Sequence, residues 1–307
     1  MSRTTIYFAT NRMPDVDPRD PARIVGFGSG LGPIDGTAVR FGSVDVEVSR
    51  SGKTRMLPET LFVAPEQLYG QTPVWGSRTI FEQLRKDMLG HGRQTLAIIH
   101  GFSNSFGDAM ERAAAIGRFY GVDANLFSFT WPSRGSKVGL PLPYADYLHD
   151  RGNARASGTA IARTMRILYD YIDRLAVSQV CRQPIHLIVH SMGNYALRHA
   201  VQALMQLPAT DRTPAPVPVE STTDTAPLLE GLPALFSMPV EDRDPNRLRR
   251  TFDQIILAAA DEDDDSFEDE LELSELPRLA NRVTVYHTNR DWILSTLSRY
   301  TKFNGPR

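Results

Sequence analysis

The sequence predicts an α/β fold in which a doubly wound, mostly parallel sheet carries helices on both faces. Short apolar runs alternate with longer stretches whose apolar residues recur at helical spacing, which is typical of parallel strands joined by crossover helices. This strand-then-helix order continues along the chain without an internal repeat of fixed period. A length of 307 residues, 41% of them hydrophobic and 23% charged, fits one large globular domain over residues 1–307.

The predicted strands and helices follow one another in a regular order. Residues 6–9 and 39–48 form the opening strands, and the second of these alternates valine with polar residues. The other predicted strands are 96–99, 126–131, 185–189, 255–259 and 283–286, and the predicted helices are 105–120, 156–177 and 195–207. In such a sheet the carboxyl ends of the parallel strands share one edge, where ligands bind.

A proline-rich stretch interrupts this order at residues 208–247. Eight of the 21 prolines fall between Pro208 and Pro245, where helix and strand signals are few. We interpret the stretch as an insertion and not as a second domain. Its apolar patch favours a lid over the pocket, and a surface loop is the alternative.

The composition excludes several classes of protein. With 34 basic and 36 acidic residues the net charge is −2, so the chain has no overall attraction to nucleic acid. Cys181 is the only cysteine, which excludes an internal disulfide and a cysteine-type zinc site. No apolar run reaches the ~20 residues of a membrane span, and the start lacks a signal-peptide core. We expect a cytoplasmic protein without a cofactor.

Ser191 is the candidate nucleophile. It lies in the segment His190-Ser191-Met192-Gly193-Asn194, between the predicted strand 185–189 and the predicted helix 195–207. A serine on such a turn is exposed beside the first amides of a helix, which can hold a developing oxyanion. Val189 replaces the first glycine of the usual Gly-x-Ser-x-Gly pattern, and a plain helix cap is the alternative interpretation.

A second loop is expected to contribute the other donor of an oxyanion hole beside this turn. His100-Gly101-Phe102-Ser103 follows the predicted strand 96–99, so we expect the amides of Phe102 and Met192 to form an oxyanion hole. The predicted pocket residues are His100, Gly101, Trp131 and His190. The alternative is that the histidine and tryptophan belong to the core.

A serine hydroxyl needs a base, and the base needs an acid to orient it. Asp291 follows the last visible strand and is the preferred acid, while Asp261, directly after the strand 255–259, is the alternative. No histidine follows Asp291. His287 is the base candidate within the chain, since it keeps the order serine, acid, histidine if Asp261 is the acid.

The acidic run 261–272 partly matches a calcium-binding loop. Asp261, Asp263, Asp265 and Glu272 take positions 1, 3, 5 and 12 of that template, but Ser266 stands where glycine is required, and a strand precedes the loop. We expect a solvated acidic loop and no metal site.

These motifs together resemble the α/β-hydrolase superfamily, and within it a bacterial branch known as domain of unknown function 900. The motifs that carry the resemblance are Thr10-Asn11-Arg12, the loop from His100 to Phe106, Trp131-Pro132-Ser133, the turn from His190 to Asn194, and Asp291 before Trp292. The resemblance implies a serine hydrolase acting on small-molecule or lipid esters. It also implies Ser191 as nucleophile, Asp291 as acid, and the amides of Phe102 and Met192 as oxyanion hole.

The sequence departs from that superfamily at its C-terminal end. The superfamily's histidine comes from a loop after one further strand, and neither is visible before Arg307. Two expectations follow. The protein is an esterase with a base of its own, or it is a catalytically impaired or silent hydrolase fold that serves as a binding protein. A missing last strand would also expose a sheet edge, through which we expect a homodimer.

Overall fold

The computed structural model describes residues 1–32, 39–65, 75–121, 123–134, 143–176, 180–206, 244–262, 266–268 and 273–286. The strands are β1 (Ser2–Thr10), β2 (Arg12–Asp17), β3 (Asp20–Leu31), β4 (Arg40–Val48), β5 (Thr54–Val63), β6 (Gln94–Ile99), β7 (Ala124–Thr130), β8 (Ile185–His190), β9 (Phe252–Ala258) and β10 (Ala280–Tyr286). The helices are α1 (Gly76–His91), α2 (Phe106–Phe119), α3 (Pro143–Asp173) and α4 (Gly193–Gln206). Two short 3-10 helices cover Pro245–Arg247 and Leu276–Leu279.

The large sheet has eight strands in the order β10-β9-β8-β6-β7-β1-β4-β5. The six strands from β10 to β1 run parallel, while β4 and β5 add an antiparallel edge. The hairpin of β2 and β3 forms a separate two-stranded sheet. The predicted doubly wound, mostly parallel sheet is therefore confirmed as the α/β-hydrolase architecture, with β8 between β9 and β6.

Helices cover both faces of this sheet, because successive residues of each strand point to opposite sides. Leu96 and Ile98 of β6 pack in the apolar core that contains α2, while Ala97 and Ile99 pack in the core that contains α1, α3 and α4. The alternating valines of β4 face the α2 core. The carboxyl ends of the parallel strands thus meet at one edge between two packed layers.

Several boundaries differ from the prediction. Helix α3 begins at Pro143 and not at residue 156, because the polar stretch 143–155, with Gly152 inside it, masks the helical pattern. The sequence reasoning also missed α1, although Ile80, Leu84 and Met88 are buried at helical spacing. It missed β5 and the hairpin of β2 and β3, whose residues are mostly exposed or partly exposed.

Most of the predicted insertion, residues 208–243, lies outside the described residues, so the lid stays a prediction. The end of that stretch forms the short helix Pro245–Arg247. Across the described ranges, no helix combines the length and the apolar character that crossing a membrane requires.

Candidate active site

Ser191 lies on the turn between β8 and α4, where the sequence predicted a sharp turn. Its φ angle of 50° is left-handed, a conformation that residues other than glycine rarely adopt and that stores strain at functional turns. Its main-chain N–H donates to the Ala258 carbonyl oxygen of β9 at 2.9 Å, and the residue is partly exposed. The turn therefore holds an accessible serine at the carboxyl edge of the sheet.

Two glycines let this turn touch the segment that follows β6, residues 100–105, which we call the β6 exit loop. A Cβ atom on Gly101 would lie 2.8 Å from the Ser191 Cβ, and one on Gly193 would lie 2.6 Å from the His100 carbonyl oxygen. Any larger residue at either position would push the two segments apart. The glycines thus bring the β6 exit loop directly against the serine turn.

Hydrogen bonds fix the shape of the β6 exit loop. The side-chain Nδ2 of Asn104 donates to carbonyl oxygens within the loop, including that of Phe102 at 2.8 Å. The main-chain N–H of Ser103 donates to Asp150 Oδ2 at 3.4 Å, and that of Asn104 donates to Ser133 Oγ at 3.1 Å. The loop's main-chain groups are therefore largely satisfied by its own surroundings.

Two main-chain N–H groups beside Ser191 stand outside this network. Neither the amide of Phe102 nor that of Met192 has a hydrogen-bond acceptor among the described residues. The N–H groups at the start of a helix lack an acceptor within the helix, and such donors form a ready site for an anion. Two unused donors next to a serine hydroxyl are what the oxyanion of acyl transfer requires.

Arg12 anchors the β6 exit loop from the junction of β1 and β2. It is buried, with 1% of its surface exposed. Its guanidinium donates to the carbonyl oxygens of Asn104, Ser133 and Gly28 at 2.8, 3.1 and 3.1 Å, and to Thr130 Oγ1 at 2.9 Å. Burial lowers the pKa of Arg12 to about 9. Arg12, which was singled out in the sequence only through the family resemblance, therefore has a structural role.

Asp150 of α3 holds the same loops from the other side. Its side chain is fully buried and accepts hydrogen bonds from Ser133 Oγ at 2.5 Å and from the Arg134 N–H at 3.1 Å, besides that of Ser103. The sequence reasoning missed Asp150, because an acid in a polar stretch resembles one on a solvated helix face. Recognising that α3 starts at Pro143 would have placed it at the sheet edge.

His100 and Trp131, which we expected to line the pocket, are core residues. They are 3% and 0% exposed, and their rings stack with centroids 5.0 Å apart. His100 Nε2 accepts the Trp131 N–H at 3.2 Å, while its Nδ1 lies 2.8 Å from the Gly101 carbonyl oxygen. Burial, with a smaller contribution from Arg12, lowers the pKa of His100 to about 3. This neutral histidine supports the β6 exit loop from within the core.

His190 is exposed, in contrast to His100. Its Nδ1 lies 3.0 Å from the point where a Cβ on Gly101 would stand, and the Ser191 Cβ lies 2.8 Å from the same point. The structure thus places the side chains of His190 and Ser191 beside Gly101. Of the predicted pocket residues, His190 and Gly101 are therefore the ones next to the serine.

Asp261 follows β9 and is buried, with 1% of its surface exposed. The Tyr147 hydroxyl donates to its Oδ2 at 2.5 Å, and its main-chain N–H points to the Ser191 carbonyl oxygen at 3.4 Å. The expected solvated loop is thus wrong for Asp261, because a tyrosine and the serine turn enclose it. Its neighbour Glu262 is also enclosed and pairs with Arg198 at 2.9 Å.

Asp291 and His287 lie outside the described residues, as do Asp263, Asp265 and Glu272 of the calcium-loop match. Within the described part of the chain, no group of three or more histidine, cysteine or acidic side chains is arranged to hold a metal ion.

An apolar cavity of about 80 Å³ lies between the sheet and helices α1 and α3. Its lining includes Thr95, Ile185 and Phe252, which stand at the amino ends of their strands, away from Ser191. Ligand pockets commonly reach about 300 Å³ or more, so this space is a packing void and not the active site.

Comparison with known proteins agrees with this geometry. Residues 77–304 match the model of a family described as an alpha/beta hydrolase of unknown function, DUF900. The search of curated proteins found no match. The matched range covers α1, the parallel strands from β6 to β10 and the serine turn. The chain therefore belongs to the DUF900 family of alpha/beta hydrolases.

Proposed function

We propose that the protein is a serine hydrolase that cleaves carboxylic esters of small molecules or lipids through an acyl-enzyme on Ser191. The observation that carries the proposal is the pair of amides, Phe102 and Met192, that flank a strained serine and lack an acceptor among the described residues. Available N–H donors at the start of a helix are a general anion-binding arrangement, and here they adjoin a serine hydroxyl. The α/β-hydrolase fold supports the same reaction class.

In the proposed reaction, Ser191 Oγ attacks the ester carbonyl carbon while a histidine takes its proton. The carbonyl oxygen becomes an oxyanion and accepts hydrogen bonds from the amides of Phe102 and Met192. The carbon–oxygen bond to the alcohol then breaks, and the alcohol leaves with the histidine's proton. Water attacks the acyl-enzyme by the same route and releases the acid.

His287 is the proposed base, and Asp291 or Asp261 the acid that orients it. The sheet supports this choice, since the Ala259 N–H donates to the carbonyl oxygen of Tyr286 at 2.8 Å. The end of β10, which precedes His287 in sequence, therefore lies beside the segment that leads to Asp261. Asn variants of the two acids separate them, because loss of the orienting acid lowers kcat by ~10⁴-fold.

The test is hydrolysis of p-nitrophenyl butyrate by the chain and by Ser191→Ala, His287→Ala, Asp291→Asn and Asp261→Asn. Ser51→Ala, in an exposed turn, is the matched control. We expect turnover to disappear in Ser191→Ala and His287→Ala and to persist in Ser51→Ala. A fluorophosphonate probe followed by mass spectrometry should modify the peptide that contains Ser191.

Two results would overturn the proposal. Equal rates in all variants would mean that Ser191 does not catalyse the hydrolysis, and no labelling of Ser191 would mean that the hydroxyl is not activated. Either would favour the alternative of a catalytically silent hydrolase fold that binds its ligand.

A further inference from the structure

Arg151 of α3 lies close to the proposed active site in an unusual setting. Its guanidinium carbon stands 4.0 Å from the centre of the Tyr195 ring, and its Nη1 donates to the Tyr147 hydroxyl at 3.5 Å. Both tyrosines are buried, whereas Arg151 is partly exposed. Stacking on one ring and contact with the other hold the guanidinium in a fixed orientation.

Most N–H donors of Arg151 have no acceptor in the part of the chain that the structure describes. A guanidinium carries five N–H donors, and the Tyr147 hydroxyl is its one acceptor among the described residues. None of the described carboxylates lies within ion-pair distance of it, whereas the neighbouring Arg198 pairs with Glu262 at 2.9 Å. Asp261 acts on this guanidinium across the Tyr147 hydroxyl, which contacts both groups, and the N–H donors that have no acceptor among the described residues can bind an anion that arrives with a ligand.

The residues that contact Arg151 also adjoin the segments around Ser191. The Tyr147 ring packs against the Phe102 ring at 5.7 Å between centroids, and the Tyr147 hydroxyl donates to Asp261. Tyr195 lies in the first turn of α4, directly after the serine turn. Phe102, Ser191 and Arg151 are partly exposed around these enclosed side chains. A substrate held at Ser191 therefore has a guanidinium along the side formed by α3 and α4.

We propose that Arg151 binds a carboxylate carried by the substrate, so that the enzyme prefers esters with a second, negatively charged end. This inference rests on the proposed ester hydrolysis. A single planar guanidinium matches a carboxylate, because two parallel N–H donors meet its two oxygens. Arg151 is thus a specificity-determining residue.

The experiment compares p-nitrophenyl hydrogen glutarate with p-nitrophenyl pentanoate, which has the same chain length without the charge. The readout is the ratio of their kcat/KM values. We expect Arg151→Gln to lower this ratio at least about tenfold, mainly through the KM of the charged ester. Arg151→Lys keeps the charge and should give an intermediate ratio. Arg174→Gln removes an exposed charge just beyond the far end of α3 and should leave the ratio unchanged.

A binding measurement separates this inference from the proposed reaction. Calorimetry with monomethyl glutarate uses Ser191→Ala, in which turnover is blocked, with and without Arg151→Gln. We expect the Kd to rise about tenfold when Arg151 is replaced. Arginine-dependent binding without hydrolysis by the unmodified chain would retain the anion site and reject the esterase. Hydrolysis of both esters with an unchanged ratio and unchanged binding in Arg151→Gln would reject the anion site and retain the esterase.

Discussion

Arg12 Nη2 donates a hydrogen bond to the main-chain oxygen of Asn104 at 2.8 Å, although 92 positions separate the two residues in sequence. The same guanidinium contacts the carbonyl oxygen of Ser133, so one buried side chain ties two loops of the site to the junction of β1 and β2. Methionine at this position would fill part of the space but leave several buried acceptors without a donor.

We expect Arg12→Met to lower the free energy of unfolding by about 3 kcal/mol, the usual cost of breaking a buried polar network. Urea unfolding measures this change, with Arg174→Met as an exposed control. A loss below about 1 kcal/mol would show that water replaces the guanidinium at little cost, against the expectation for a group with 1% exposure.

Gly101→Ala should impair turnover more than stability. The added Cβ would meet the Ser191 Cβ at 2.8 Å and displace the β6 exit loop that carries the Phe102 amide. We expect kcat to fall by about 100-fold, the effect of losing one oxyanion donor. Gly152→Ala is the matched control, because a Cβ there meets nothing within 4 Å, and it should stabilise α3 by about 0.5 kcal/mol. Equal activity of the two variants would contradict the proposed role of the loop.

Thr95 and Thr164 both border the apolar cavity but differ in hydrogen bonding. Thr95 Oγ1 is buried without a partner among the described residues, while Thr164 Oγ1 donates to the Ala160 carbonyl oxygen at 2.9 Å. We expect Thr95→Val to raise the free energy of unfolding by about 1 kcal/mol and Thr164→Val to lower it by a similar amount. Urea unfolding of both variants checks the opposite signs, and destabilisation by Thr95→Val would indicate a buried water at its hydroxyl.

Acid should destabilise the protein partly through His199. Burial lowers its pKa from 6.5 to about 3, with a further contribution from Arg198. The unfolded chain therefore binds a proton below about pH 6.5 that the folded chain does not bind until about pH 3, so stability falls as the pH falls through this window. His100 contributes in the same direction, with a pKa also lowered to about 3.

His199→Gln should make this loss shallower by about 1.4 kcal/mol per pH unit below pH ~5.5. Unfolding free energies at several pH values measure the slope, and His91→Gln at an exposed position serves as control. An unchanged slope in His199→Gln would mean that the histidine is protonated in the folded protein.

Periodicity and turn chemistry predicted most of the parallel sheet and the position of Ser191. The runs 96–99 and 185–189 are fully apolar or nearly so, which is typical of strands buried on both faces. The position of the Phe102 and Met192 amides beside the serine could be predicted as well. A strand exit with Gly101 and a helix start after Ser191 are both local patterns. Their roles stay a prediction.

The supporting residues could not be predicted from local pattern. Arg12, Asp150 and Arg151 are polar residues in polar stretches, and their burial or proximity to the site depends on distant segments. For His100 and Trp131 the prediction and the structure differ in the opposite direction. Their sequence positions suggested the pocket, but packing against one another draws both into the core.

The long-range anchoring by Arg12 also bears on the order of events during folding. Its contacts join residues up to 121 positions apart, so they form only after β1 has inserted beside β7. A chain whose helices and central strands have formed would already contain the serine turn, while the opposing amide would still lack a fixed position. The proposed ester hydrolysis would then be one of the last properties that the folding molecule acquires, and incompletely folded chains would not carry it out.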